Sequence, residues 1–244
     1  MPTPGFPPGT LDADDRPIWL SELDVIGHST AHLVRDVAPR AALELLGLDA
    51  GSAVPCTLPA QSTDEHTSLP RAALGDPDCV AVLLAGRVHG WTLVFDDAGA
   101  TSEVGDLERA RAVDAAAGGD WSGLEAMAGR PRPAVQEPSA VLSAAGGPAV
   151  TIRTNFTGPP VAIGYAIDGE LVFSTDSDDL DLRDPQPRAD VRAAIAAAGI
   201  SDEDDLAPGE PDTFALARIG CALAGVTWTL PDLRATDLIA LTFN

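Results

Sequence analysis

Between Ala149 and Thr175 apolar and polar side chains alternate over three consecutive runs, and this stretch constrains the fold more than any other. Val150, Ile152, Thr154 and Phe156 oppose Thr151, Arg153 and Asn155; Val161, Ile163, Tyr165 and Ile167 repeat the pattern. Leu171 and Phe173 are expected to point inward from the third run. A period of two marks strands that bury one face. Asp168-Gly169 joins the second and third runs. A type I′ hairpin turn needs two residues that tolerate positive φ, and this dipeptide supplies them. Two hairpins in succession make an antiparallel meander.

Other elements extend this sheet. Cys79 to Ala85 is a continuous apolar run and reads as a buried strand, with Gly86-Arg87-Val88 as the turn after it. From Gly90 a second strand puts Trp91, Leu93 and Phe95 on one face. His28 to Val37 reads as a strand with no wet face. Residues 48–77 hold Pro55, Pro59, Pro70 and Pro77 and read as a long irregular loop with one short strand at most. Val226 to Leu230 reads as a further short strand. Helices are expected over 39–46, with Pro39 in the first turn and Gly47 as the stop, and over 188–198, with Val191 and Ile195 four apart. A third, over 212–224, is apolar around its whole circumference and should be buried on most sides. The expected class is α+β: an antiparallel meander of about five to seven strands, with these three helices mainly on one face.

Residues 1–16 form a Pro-rich leader, expected to be extended and poorly ordered, with neither the basic start nor the apolar stretch of a signal peptide. Residues 17–244 are expected to be a single domain. Around 102–137 it carries an insertion of two helices, one with Leu107, Ala110 and Asp114 on a stripe, the other with Trp121, Leu124 and Ala128. No run reaches the roughly 18 uncharged apolar residues of a membrane span.

Charge then limits what such a domain can do. The 244 residues carry 37 acids against 15 basic side chains, all Arg, for a net charge of −22. That balance excludes a broad face for nucleic-acid phosphates and attraction to an anionic membrane. The absence of Lys fits a GC-rich genome better than a salt-adapted surface. Cys56, Cys79 and Cys221 are widely spaced, form no CxxC pair, and read as small buried hydrophobes in a reducing cytoplasm.

Motifs that would carry chemistry are sparse. His28 and His32 are four apart, as a metal pair could be, but no Glu follows His28 and no third ligand is spaced to join them. Two polar residues without a ligand role is the plainer reading. Asp176, Asp178, Asp179 and Asp181 imitate the start of a calcium loop, yet Asp181 stands where such a loop needs Gly and Pro187 where it needs Glu. A solvated acidic loop fits better. There is no G-x-S-x-G elbow, no P-loop and no dinucleotide fingerprint, and no cofactor is expected. Asn155-Phe156-Thr157 is a chance glycosylation sequon in a cytoplasmic chain. His89-Gly90-Trp91 lies at the mouth of the first hairpin. It is either a contact for a ligand or partner or simply the start of a strand with a core tryptophan.

The order of these features resembles that of a family of proteins of unknown function found in actinobacteria and other high-GC Gram-positive bacteria. The residues concerned are the helix ending Ala42-Leu43-Glu44-Leu45-Leu46-Gly47, Gly90 to Val94, Val141-Leu142-Ser143, Ala166 to Gly169, and Leu223 to Val226. The resemblance spans about Trp19 to Leu233. It implies a fold and a cellular setting but transfers no activity and no catalytic residue.

Between Glu170 and Asp212 there are 13 acids against three Arg, so nearly half of the net charge lies in one segment. The expected function is therefore a non-enzymatic, cytoplasmic binding protein, immunity- or regulator-like, whose acidic surface steers a basic protein partner. Asp176, Asp178, Asp179, Asp181, His89 and Trp91 are its candidate contacts. The alternative is a carboxylate- or metal-dependent hydrolase using His28, His32 and the acidic loop.

Overall fold

The stretch without a wet face becomes a central strand, buried from both sides. Thr30–Arg35 sends Ala31 and Leu33 into one core layer and Val34 into another. The computed structural model describes residues 3–24, 27–62, 67–75, 81–102, 136–154, 161–176, 188–200 and 214–243. In chain order these form α1 (Ile18–Leu23), β1 (Thr30–Arg35), α2 (Pro39–Leu45), a 3-10 turn (Ala50–Ser52), β2 (Val54–Cys56), α3 (Leu69–Leu74), β3 (Ala81–Val88) and β4 (Trp91–Asp96). Then follow α4 (Pro138–Ala145), β5 (Ala149–Thr154), β6 (Val161–Ile167), β7 (Glu170–Asp176), α5 (Ala189–Ala197), α6 (Ala215–Ala224), α7 (Leu230–Arg234) and β8 (Leu238–Phe243).

One all-antiparallel sheet of eight strands runs β2-β8-β3-β4-β1-β5-β6-β7. The class is α+β, with eight strands where five to seven are expected. Most helices lie on one face, where α1, α3, α5, α6 and α7 contribute Trp19, Leu69, Val191, Ile219 and Leu233 to the first core layer. The expected position of the 39–46 helix needs correcting. With α4 it covers the opposite face, where Leu43 and Leu142 meet Val34, Leu83, Ala85 and Val94. The cause lies in the central strands, whose second side is apolar enough to need a cover. On the first face α6 approaches so closely that a Cβ on Gly220 would sit 2.7 Å from Ile152. Burial of nearly the whole circumference of α6 follows.

The meander forms as expected, and Asp168 and Gly169 take φ of +52° and +84°. Its third strand departs from simple alternation. Tyr165 pairs with Phe173 and Ala166 with Leu171, leaving Val172 as a bulge. That extra residue turns Leu171 outward, 46% exposed, while Phe173 stays half-buried on the first layer. The first hairpin turns at His89-Gly90 (φ +47° and +88°), not at Gly86-Arg87-Val88, which lie within β3. Two positive-φ residues again supply the turn.

Residues 48–75 are more regular than their prolines suggest. Pro70 sits in the first turn of α3, where a missing N–H costs nothing, Ser68 accepts from the Arg71 N–H at 3.3 Å, and Gly75 closes the helix at φ +67°. Val226 to Leu230 is not a strand: Thr229 and Asp232 form a capping box that opens α7. β8 was not anticipated and lies between β2 and β3.

Residues 3–16 are docked, contrary to expectation. Phe6 is buried in the first layer, the Gly5 N–H donates to the Ala197 carbonyl at 2.8 Å, and Arg218 donates to the Asp15 carbonyl at 2.9 Å. A single phenylalanine among the prolines provides the anchor. The helices expected around 102–137 and the sequon fall outside the described residues. Among the described residues no helix is long and apolar enough to cross a membrane.

Candidate functional site

Alternation in β1, β4 and β5 gathers polar side chains beneath the second layer. His32 is fully buried there, its Nδ1 3.0 Å from the Thr151 hydroxyl and its Nε2 2.9 Å from the Thr101 hydroxyl. The Thr101 hydroxyl donates to the Asp96 carboxylate at 2.7 Å, so it must accept from His32 Nε2–H. Nδ1 then accepts from Thr151. Asp96 also accepts from the backbone N–H groups of Thr101 and Ala98, at 2.6 and 3.0 Å. Burial raises the pKa of Asp96, against the lowering effect of these donors. Burial, reinforced by the charge of Arg153, lowers that of His32 to about 3.

The arrangement fixes a neutral imidazole in one tautomer and leaves no nitrogen free to bind a metal or take a proton. His28 stands outside it, exposed, with Nε2 3.4 Å from where a Cβ on Gly99 would be. The two histidines thus do not act as a pair. Among the described residues no three His, Cys, Asp or Glu are grouped to hold a metal ion.

Two further buried carboxylates were not singled out from the sequence. Asp97 accepts from Arg71 at 2.6 Å, from Ser68 at 2.7 Å and from the Val82 N–H at 2.8 Å, tying α3 to β3. Asp24 accepts from Arg16 at 2.6 Å, from Thr154 at 2.8 Å and from the Gly27 N–H at 2.7 Å. These partners lie up to 130 residues apart in the chain, so spacing offers no signal for them. Cys221 is buried, and that burial pushes its thiol up to about 12, while partial burial raises Cys56. Neither thiol is poised as a nucleophile. Cys79 lies outside the described residues.

His89 is exposed on its turn, and its charge helps hold the Asp232 carboxyl low, after the larger effect of the Thr229 hydrogen bonds. Trp91 is half-buried against the first core layer. Asp176 ends β7, and Asp178, Asp179 and Asp181 lie outside the described residues. Because β1, β5 and β6 separate β4 from β7, the structure does not bring Trp91 and His89 together with Asp176.

The two edges of the sheet differ. β2 has three residues, one of them Pro55, which blunts it. β7 has seven residues and no proline, and among the described residues only β6 pairs with it. Glu170 and Leu171 are exposed at its start. A shallow acidic-rimmed groove of about 430 Å³ lies between α2 and α4, with Val37, Ala41, Leu45 and Ala145 below Asp36 and Glu44. No protein-family model, curated protein or solved structure matches the chain.

Proposed function

We propose that the chain is a non-enzymatic binding protein, immunity- or regulator-like and working in the cytoplasm, that engages a basic protein partner through its acidic surface. The observation that carries this reading is the β7 edge. It presents seven residues of strand, bounded by Glu170 and Asp176, at the start of the segment that holds 13 acids against three Arg. Complementary charge would speed encounter with a basic partner and select against acidic ones. The geometry gives the hydrolase alternative little support, because His32 is spent on Thr151 and Thr101.

The test compares the parent chain with a variant carrying Asn at Asp176, Asp178, Asp179 and Asp181. Each is used as bait in a cell lysate at low and at physiological salt. The parent should retain basic proteins at low salt and release them as the Debye length falls to roughly 8 Å. The variant should lose them at both. Capture of the same proteins by both baits would refute the reading.

A further inference from the structure

We infer that Asp96, Thr101, His32 and Thr151 form a proton-operated latch: one proton taken up by the four reverses the hydrogen bonds between them and loosens the turn that follows β4. The side chains come from β4, that turn, β1 and β5, and they are linked in one row. Thr101 Oγ lies 2.7 Å from Asp96 Oδ2 and 2.9 Å from His32 Nε2, and His32 Nδ1 lies 3.0 Å from Thr151 Oγ. A hydroxyl or a neutral imidazole donates on one side and accepts on the other, so such a row has two directions. With Asp96 ionised, the donors run from Thr151 to the carboxylate. Neither ring nitrogen can then take a proton, because Thr151 donates to Nδ1.

Turning the Thr151 hydroxyl from donor to acceptor opens the second direction. A proton from solvent is held at Nδ1, the Nε2 proton passes to Thr101, and the Thr101 proton passes to Asp96. One proton has entered. The ring stays neutral with its proton on Nδ1, and Asp96 has become a carboxylic acid that donates to Thr101. Burial favours this outcome over an imidazolium beside a carboxylate, because it disfavours the charged form of both groups. The charged neighbours act the same way. Asp97, itself held by Arg71 of α3, favours proton uptake at Asp96, and Arg153 on β5, paired with Glu137 at 3.6 Å, opposes a charge on His32. β1 and β3 set Thr30 and Leu83 opposite Asp96, neither of which titrates, and His28 lies near Thr30 beside Gly99.

The turn responds because Asp96 holds it. The carboxylate accepts from the Ala98 N–H at 3.0 Å and from the Thr101 N–H at 2.6 Å. Hydrogen bonds to an ionised acceptor are about twice as strong as those to a neutral one, so protonation weakens both. Ser102 stays in place, since Arg153 donates to its carbonyl at 3.3 Å. Loosening is confined to residues 98–101.

The experiment follows the full chain by NMR from pH 7.5 to 4, with ¹⁵N-labelled histidine and ¹³C-labelled aspartate. The His32 nitrogens should exchange their shifts, the proton moving from Nε2 to Nδ1, at the same midpoint as the Asp96 carboxyl carbon. Amide exchange at Ala98 and Thr101, corrected for its intrinsic pH dependence, should accelerate at least threefold across that midpoint, while β1 and β5 keep their protection. Thr101→Val breaks the row, so its ring should no longer follow Asp96. Thr101→Ser keeps the hydroxyl and should switch as the parent does.

Four results would overturn the latch: a ring protonated on both nitrogens, a carboxyl that titrates while the proton stays on Nε2, no change in either signal, or a ring that still switches in Thr101→Val. A ring that switches without faster exchange at Ala98 and Thr101 would overturn the loosened turn.

Discussion

Replacing His32 by Gln should remove a pH dependence that the buried imidazole imposes on folding. In the folded chain the ring stays neutral until the pH approaches 3, whereas in the unfolded chain it takes a proton near 6.5. The stability associated with the neutral ring is complete above pH 6.5. It is lost as the pH falls from 6.5 towards 3, because only the unfolded state then gains the proton. The slope in that window is about 1.4 kcal/mol per pH unit, so pH 4.5 should cost the parent about 3 kcal/mol relative to pH 7.5.

Gln at position 32 can still donate to Thr101 but leaves the buried Thr151 hydroxyl without its acceptor. That should cost about 1–3 kcal/mol at pH 7.5. The carboxylates titrate in both proteins, so the difference between them isolates the histidine. Urea unfolding at pH 7.5, 6.5, 5.5 and 4.5 should show the variant weaker at neutral pH, with the gap closing or reversing at pH 4.5. A gap that stays constant across the series would refute the neutral, enclosed imidazole. Ring ¹⁵N shifts provide an independent reading, with the proton expected on Nε2.

Gly169→Val forces a β-branched residue to φ +84° and places its Cβ 3.2 Å from the Ala144 side chain. The loss should be about 1–3 kcal/mol in urea, and parent-like stability would mean that the turn is not type I′. Phe6→Ala should cost about 3 kcal/mol, and deletion of residues 1–15 should lower the melting temperature, because Phe6 is buried in the core. An unchanged midpoint in both would show that the leader is not docked.

Elements whose pattern is local were legible in the sequence: the meander, its Asp168-Gly169 turn, the 188–198 helix and the enclosed 212–224 helix. Errors arose where one residue changes a local rule. A single bulge at Val172 is enough to reverse Leu171, and no composition marks where an extra residue will sit. The first hairpin turns at His89 (φ +47°) and not at Gly86-Arg87-Val88, because a non-glycine at positive φ is rare and residue type alone does not mark it. Ser68-Leu69-Pro70 is a helix start that can be read locally, but the density of prolines around it hid the signal. The side for the 39–46 helix depends on which face of a distant sheet needs covering, a question that a window of ten residues cannot answer.

The candidate site was legible only in its residue types. His28-x-x-x-His32 has the spacing of a ligand pair, and what decides against it comes from Thr101, 69 residues on, and Thr151, 119 residues on. This follows from the architecture. A sheet covered on both faces has no water within reach of the polar groups at its centre, so each must find a partner inside the protein. The histidine and the acids Asp24, Asp96 and Asp97 are consumed in that way, and their chemistry turns inward to hold β1, β3, β4, β5 and α3 in place. Among the described residues, strands with a neighbour on one side alone are β2 and β7, where the sheet ends. They differ in sequence: β2 is three residues long and contains Pro55, whereas β7 is seven residues long, has no proline and begins and ends on a carboxylate.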